Sequence, residues 1–188
     1  MSDLAGPMTG EGCRAEPFAE HHREQLRAAC AEDDVIWAMY GTSYDPAHFD
    51  ASLDRLVGDP LSQLFVLFDG DEFAGMSAYL NRNDARQTVE IGNTYYRPHL
   101  RGSGFNRRIK VMMLERAFAC GFRRVQFCVD IRNARSQAAC KKLGAVREGV
   151  LRADRITWTG HVRDTVLFAI LKDEWTPAPA WRPPNAIA

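Results

Sequence analysis

The clearest pattern along the chain is a pair of apolar runs, residues 64–68 and 73–80, separated by the polar residues 69–72. Runs of this length bounded by turn-forming residues are typical of strands, and the Asp-Gly pair between them tolerates the left-handed dihedrals of a hairpin turn. A third strand is predicted over residues 88–97, because Pro98 has no N–H group to donate to a strand ladder. The sequence thus predicts three strands in succession.

The remaining apolar positions recur with helical or strand spacing. Two surface helices are predicted before the hairpin, at residues 20–32 and 46–57, and a longer helix follows the third strand. The longer helix ends at Gly121, and its apolar face consists of Ile109, Met112, Met113, Ala117 and Cys120. The later predicted elements are a strand at 125–131, a helix at 134–143 that Asn133 begins, and strands at 145–157 and 161–171. This order predicts an α+β fold, a mixed sheet with helices on its faces.

The length of 188 residues suits one domain with a sizeable core and is too short for two ordinary domains. We expect this domain to span residues 14–175. Residues 1–13 are rich in small and polar residues and are expected to be mobile. Four prolines between positions 177 and 184 predict an extended tail over residues 176–188.

Charge and composition argue against several classes of protein. Lys plus Arg and Asp plus Glu both number 24, so no net field draws the chain to nucleic acid or to an anionic membrane. No apolar run approaches the length of a membrane span, and we expect a soluble, cytoplasmic protein. The five cysteines form no C-x-x-C pair and the five histidines lack ligand spacing, so we expect reduced thiols and no metal site.

A glycine-rich turn directly after the third strand is the strongest chemical signal. The segment Arg101-Gly102-Ser103-Gly104-Phe105-Asn106 leads into a basic helix start that contains Arg107, Arg108 and Lys110. Glycines let backbone N–H groups approach a ligand, and a helix N-terminus carries partial positive charge, so the turn suits a phosphate. A tight connection without a ligand explains the glycines about as well. The patterns of a P-loop and of a Rossmann fingerprint are both missing.

Residues 98–104 resemble the acetyl-CoA signature of the GNAT superfamily of N-acetyltransferases, whose core is R/Q-x-x-G-x-G/A. A second block, residues 133–136 with 140–149, resembles the N-x-x-S/A helix and the closing K-L-G turn of that superfamily. Residues 89–92 and 163–168 are similar to the branch containing ribosomal-protein N-terminal acetyltransferases. The resemblance implies a GNAT-like, mostly antiparallel, splayed sheet with helices on both faces.

The resemblance also implies an acyl-CoA-dependent N-acyltransferase that uses acetyl-CoA and a primary amine in a ternary complex, and it is compatible with a homodimer. Backbone N–H groups and cationic side chains at the glycine turn would hold the CoA pyrophosphate, and the end of the preceding strand would line a gap for the pantetheine arm. The implied cofactor-binding residues are Thr94, Tyr95, Tyr96, Arg101, Gly102, Ser103, Gly104, Phe105, Asn106, Arg107, Asn133 and Ser136.

Two residues are candidates for catalysis. An alkyl amine with a pKa near ~10 is almost wholly protonated at neutral pH, so a base must take its proton. Glu90 is the first candidate base, with Asp130 and Asp154 in reserve, and its alternative role is a strand-edge salt bridge. Ser136 is the candidate for stabilising the departing thiolate, and its alternative role is to start a helix. Cys140 stands where many superfamily members carry a tyrosine that protonates this thiolate, and we expect it to be a core residue.

The acceptor is not identified by any motif. Trp37, Tyr40 and Tyr44, together with Tyr95, are candidates for the wall of its site, although each is at least as well explained as a core aromatic. The branch that the chain resembles favours a protein or peptide α-amine. Detoxification of a small molecule or antibiotic is a second hypothesis. A non-catalytic CoA-binding sensor or interaction module is a hypothesis of another class, which the cysteine at position 140 favours.

Overall fold

An eight-stranded sheet organises the fold. A computed structural model describes residues 3–176. The strands in it are β1 (Met8–Gly10), β2 (Cys13–Pro17), β3 (Gln63–Asp69), β4 (Glu72–Asn83), β5 (Thr88–Tyr96), β6 (Arg124–Asp130), β7 (Val146–Ile156) and β8 (Val162–Leu171). In space their order is β1-β2-β3-β4-β5-β6-β8-β7. The neighbours β5 and β6 are parallel, and the other pairs are antiparallel.

Helices cover both faces of this sheet. The α-helices are α1 (Arg23–Cys30), α2 (Phe49–Val57), α3 (Phe105–Ala119) and α4 (Ala134–Lys142), and short 3-10 helices occupy Glu20–His22, Val35–Met39, Pro98–Leu100 and Lys172–Glu174. Helices α1 and α2 pack on one face around Trp37 and Phe49, whereas α3 and α4 pack on the other around Ile109 and Phe168. The predicted mixed, mostly antiparallel sheet with helices on both faces is confirmed.

Local sequence signals account for several element boundaries. The hairpin between β3 and β4 turns at Gly70, whose φ of 57° is in the left-handed region that the Asp-Gly pair predicted. The helix predicted from residue 46 begins later, at Phe49. Asp45 Oδ1 accepts hydrogen bonds from the N–H groups of Ala47 and His48, which holds these residues in a turn before the helix.

Strands β1 and β2 were not predicted from the sequence. Leu4 and Met8 are only 6% and 3% exposed, because they pack in the cluster of α3. Arg116 of α3 donates to the carbonyl of Gly6 at 3.3 Å and to that of Pro7 at 2.8 Å. This packing differs from the mobile segment that the composition of residues 1–13 suggested, since a distant helix supplies the apolar surface that the segment itself lacks.

Two further predictions concern membrane spans and the C-terminal tail. Within residues 3–176, no helix is long and apolar enough to cross a membrane. The extended tail predicted for residues 176–188 lies, apart from its first residue, outside the described residues and stays a prediction.

Candidate functional site

The two parallel strands β5 and β6 separate partway along their length. They pair only over the first three residues of β5, ending at Glu90, while β6 continues alongside β8. The ladder between β4 and β5 also shifts register near Asn93, whose φ is 45°. A bulge of this kind bends its strand. The sheet is therefore open between β5 and β6 from Glu90 onward, as the splayed sheet of the resemblance implied.

The glycine turn lies at the N-terminus of α3. Gly102 and Gly104 have φ values of 88° and 89°, which L-residues with side chains rarely adopt. The backbone N–H groups of Gly102, Gly104 and Asn106 find no acceptor among residues 3–176. A Cβ atom built on Gly102 meets no heavy atom within 4 Å, so the turn is open outward. Unpaired N–H groups at a helix start fit an anionic group such as a phosphate.

Most arginines around this turn already have carboxylate partners. The ion pairs are Arg97–Glu32, Arg101–Asp33 and Arg108–Asp69. Arg101 also donates from Nε to the carbonyl of Tyr96 at 3.2 Å, and its Nη2 is buried without a partner within the described residues. Arg107 has no ion pair among residues 3–176. The free positive charge expected at the turn is thus smaller than the sequence suggested, because carboxylates distant in sequence reach the neighbouring guanidinium groups.

Three of the residues implied to bind the cofactor have buried side chains. Tyr95, Tyr96 and Phe105 are 0%, 8% and 0% exposed. The hydroxyl of Tyr95 donates to the carbonyl of Ala29 at 2.7 Å, on the α1 side of the sheet. The resemblance implied contacts by backbone groups at these positions, and the burial of the side chains is compatible with that. Ser103 has a local role, since its Oγ donates to the carbonyl of Leu100 and accepts from the N–H of Phe105.

Glu90 lies where β5 and β6 begin to separate. Its neighbours Val89 and Ile91 pack in the cluster of α3, so strand alternation turns Glu90 to the face that α1 and α2 cover. The residue is 5% exposed, and its Oε2 accepts a hydrogen bond from Asn81 Nδ2 at 2.9 Å. Within residues 3–176 it forms no salt bridge, although Arg155 is close enough to interact electrostatically.

The two reserve bases are held by cations. Burial disfavours ionisation of Asp130, but hydrogen bonds from Arg132 outweigh burial and hold the pKa of Asp130 below its ordinary value. Asp154 is similar, because hydrogen bonds from Arg155 and Thr165 outweigh its burial and lower its pKa. Carboxylates stabilised in this way are weak proton acceptors.

The start of α4 forms as the sequence predicts. Asn133 is the N-cap, and its Oδ1 accepts from the backbone N–H of Ser136 at 2.9 Å. Ser136 is half-buried in the first turn. Cys140 is 7% exposed in the cluster of α3, and burial raises the pKa of its thiol to about 11, with Lys110 opposing the rise. Cys140 is a core residue, as expected.

A buried lysine that motif spacing did not single out lies next to these elements. Lys110 of α3 is 7% exposed, and its Nζ donates to Ser77 Oγ at 3.1 Å and to Thr94 Oγ1. Burial lowers the pKa of Lys110 to about 7, while Cys140 acts in the opposite direction. The sequence does contain a signal for this position, because Met113 follows three residues later on the apolar face of the helix.

The three aromatic residues proposed for the acceptor wall have different surroundings. Trp37 is 0% exposed and belongs to the core of the α1/α2 face. The hydroxyl of Tyr40 donates to the carbonyl of Thr94 at 2.6 Å, so it reaches the open part of β5. Tyr44 accepts a hydrogen bond from Asn93 Nδ2 at 3.2 Å and lines a cavity. Tyr40 therefore lies beside the open part of β5 and Tyr44 lies beside the cavity, whereas Trp37 is a core residue.

The cavity beside Tyr44 has a volume of about 280 Å³ and lies between α2 and strands β4 and β5. Its lining includes Thr42, Arg55, Asp59, Asn81 and Asn93. Asn81 is the residue that donates to Glu90, so the cavity ends beside the candidate base. Residues 3–176 contain no cluster of three or more His, Cys, Asp or Glu side chains placed to hold a metal ion.

Comparison with known proteins agrees with this geometry. Residues 14–146 match the family model described as an acetyltransferase (GNAT) domain, and the chain belongs to the GNAT family of acetyltransferases. A probable acetyltransferase of the GNAT family from Chromobacterium violaceum ATCC 12472 is 28% identical, with a TM-score of 0.86 over 93% of this chain and 90% of that one. A proposed acetyltransferase from T. thermophilus is 33% identical, with a TM-score of 0.82 over 90% of each chain.

A more distant structure shares the fold. Spermidine N-acetyltransferase from Vibrio cholerae, in complex with CoA and spermine, is 16% identical, with a TM-score of 0.73 over 88% of this chain and 98% of that one. None of the curated proteins matches the chain. The GNAT resemblance and the assignment as an acetyltransferase are confirmed, and the acceptor is left open.

Gly102→Val is expected to weaken CoA binding at least tenfold, or about 1.4 kcal/mol. The substitution places a branched side chain on the open side of the turn, where a phosphate must approach the N–H groups. Gly121→Val at the other end of α3 is the matched control, because Gly121 also has a positive φ of 95° and open space around it. Calorimetric titration with CoA measures the effect. Equal affinities in two folded variants would contradict the assignment of the turn.

Proposed function

We propose that the protein transfers an acetyl group from acetyl-CoA to a primary amine by direct attack of the amine in a ternary complex. The position of Glu90 carries this proposal: it is buried where β5 and β6 separate, on the face opposite α3, and beside a cavity. A donor held at the N-terminus of α3 and an acceptor in the cavity would meet at this opening from opposite faces of the sheet.

Backbone groups have the main part in holding the donor. The unpaired N–H groups of Gly102, Gly104 and Asn106 would bind the pyrophosphate, and Arg107 would add positive charge. Thr94, past the point where the strands separate, would line the path toward the reacting end. Bound acetyl-CoA would supply the thioester.

Glu90 is the proposed general base. It would accept the amine proton directly or through one water, since an acceptor amine with a pKa near ~10 arrives protonated at neutral pH. The hydrogen bond from Asn81 fixes one oxygen of the carboxylate, and the thiol of Cys128 on β6 also forms a side-chain hydrogen bond with Glu90. Asp130 and Asp154 are less suitable, because each is committed to a cation that lowers its pKa.

The protonation state of the Cys140 thiol favours direct attack over an acyl-cysteine intermediate. A thiol whose pKa is raised to about 11 is almost entirely protonated at neutral pH, and only the thiolate is an effective nucleophile. Ser136, half-buried in the first turn of α4, would donate a hydrogen bond to the sulfur as negative charge develops there.

The cavity suits the end of a flexible amine rather than a large rigid substrate. Its volume of about 280 Å³ is at the lower limit of small-molecule pockets, and it is lined by amide and hydroxyl groups, one cation, one carboxylate and the apolar side chains of Leu56 and Leu80. A peptide N-terminus or a small aliphatic amine fits this description. Because one fold hosts different acceptors, the polyamine of the Vibrio cholerae structure does not decide between them.

Mass spectrometry of a pooled library of peptides and small amines, incubated with the protein and acetyl-CoA, is the test. We expect an acetyl group on one class of primary amine, formed only with the protein present. Acetylation of peptide α-amines supports the peptide acceptor, and acetylation of small amines alone supports the detoxification hypothesis. CoA binding without any acetylated product contradicts the proposed activity and supports a CoA-binding sensor.

A further inference from the structure

Lys110 is a buried cation that the proposed function does not use. Removing an ammonium group from water is costly unless an anion pairs with it. No Asp or Glu side chain in residues 3–176 forms an ion pair with Lys110, and the hydroxyls of Ser77 and Thr94 are its hydrogen-bond partners. The charge is thus held in place by neutral groups, and an anion brought to it would be stabilised.

The position of this ammonium group is defined by three elements. Lys110 lies one helical turn after Asn106, so α3 presents it on the side of the glycine turn. Its Nζ reaches Thr94, past the point where β5 leaves β6. It also interacts electrostatically with Cys140 of α4, which packs against β6 and β7. Lys110 therefore lies between the elements that flank the opening, on the face opposite Glu90.

We propose that Lys110 is the general acid that protonates the departing sulfur of CoA, the role that the resembled family gives to a tyrosine at the position of Cys140. This proposal rests on the proposed function, because it assigns one proton of that reaction. The two proton transfers then occur on opposite faces of the sheet, with Glu90 receiving the amine proton and Lys110 supplying a proton to the sulfur.

Acid strength distinguishes Lys110 from its neighbour. A donor with a pKa of about 7 can pass a proton to a thiolate whose conjugate thiol has an ordinary pKa of about 8.5. Cys140, with a pKa of about 11, is a weaker acid than the thiol that it would have to protonate. Within the described residues, Cys140 is the titratable side chain that affects the pKa of Lys110. Ser77 of β4 and Thr94 of β5 also contact Lys110, but their hydroxyl groups do not titrate near neutral pH.

The proton count balances without a further reactant. Glu90 first takes a proton from the ammonium and passes it to water, and as the neutral amine nitrogen then bonds to the carbonyl carbon, Glu90 takes a second proton from it. As the carbon–sulfur bond breaks, its electron pair stays on sulfur and Nζ of Lys110 gives up a proton to form the thiol. Glu90 then releases its proton to water and Lys110 regains one from water. The net change moves one proton from nitrogen to sulfur and releases the extra proton of the ammonium to water.

The first test needs no acceptor. Lys110→Met removes the ionisable group at similar length, and Lys110→Gln keeps a polar contact for the two hydroxyls should the apolar variant not fold. Calorimetry compares CoA with desulfo-CoA, which lacks the sulfur. We expect wild type to prefer CoA roughly tenfold, the scale of one hydrogen bond to a charged group. Both variants should lose this preference, whereas the control Lys172→Met, an exposed lysine, should keep it.

The second test measures kcat on the acceptor found by mass spectrometry. We expect the variants to be about tenfold slower than wild type below pH 7, because a thiolate is already a fair leaving group and gains less than a poorer one from a general acid. The difference should disappear as the pH rises and wild type loses the Lys110 proton, while KM for acetyl-CoA stays within a few-fold.

Three results would overturn the role of Lys110: an unchanged preference for CoA in folded variants, a rate ratio independent of pH, or an acetyl group found on Lys110 itself, which would make it a nucleophile. These failures are separate from failure of the proposed function. If wild type forms product and the Lys110→Met variant has the same rate and CoA preference, only the role of Lys110 as the acid is contradicted. If no product forms, the proposed function is contradicted. The comparison of CoA with desulfo-CoA then still shows whether Lys110 contacts the sulfur.

Discussion

Glu90→Gln is expected to lower kcat/KM by roughly 10²-fold or more at neutral pH, the scale of a positioned general base. The amide keeps the size of the side chain and can still accept the hydrogen bond from Asn81, but it cannot take a proton from the acceptor amine. The loss should be partly recovered at higher pH, where more of the amine is already neutral. Steady-state rates between pH 6 and pH 10, together with the melting temperature, provide the measurement.

Glu115→Gln is the matched control, since it makes the same substitution on an exposed residue of α3. It should leave both the rate and its pH dependence unchanged. A Glu90→Gln variant with normal turnover and a wild-type pH profile would exclude Glu90 as the base, and the same substitution would then be made at Asp130 and Asp154. A loss of stability with an unchanged pH dependence would give Glu90 a structural role only.

Gly75→Ala is expected to lower the free energy of unfolding by about 3 kcal/mol, the combined scale of backbone strain and overpacking. Gly75 has a φ of 143°, and a Cβ atom there would lie 2.2 Å from the carbonyl oxygen of Tyr95. The neighbour is backbone of β5, so it cannot rotate away. Because this contact lies next to the bulge at Asn93, the substitution should also disturb the open part of β5 and reduce acetyl transfer.

Gly149→Ala in β7 is the comparison for this effect. Its added Cβ meets no heavy atom within 4 Å, and its stability should stay within about 0.5 kcal/mol of wild type. Urea unfolding followed by circular dichroism measures both variants. A Gly75→Ala protein as stable as Gly149→Ala would show that β4 and β5 can separate at this point without a large cost.

The sequence alone was sufficient for features that depend on neighbouring residues. The Asp-Gly turn between β3 and β4, the start of α4 at Asn133 and the open glycine turn before α3 each follow from dihedral preferences or from a hydrogen bond within a few positions. The same signals carried the family resemblance, because a turn that binds phosphate with its backbone needs particular residues at fixed spacing. Fold class and family were therefore predictable.

Interactions between distant segments decided the ion pairs around the glycine turn and the N-terminal strands. Carboxylates at positions 33 and 69 occupy guanidinium groups that looked free, and the N-terminal strands form because α3 and β3 cover and pair with them. No local preference encodes these partners, since they depend on the register of the sheet.

The chemistry of the site was decided in the same way. Glu90 differs from other strand carboxylates because the pairing of β5 with β6 ends beside it, and Asn81, nine positions away, reaches it across the β4–β5 ladder. Lys110 is one of three basic residues at the start of α3 in the sequence. The tertiary structure buries it against Ser77 and Thr94, and removal from water is what brings its pKa near neutrality.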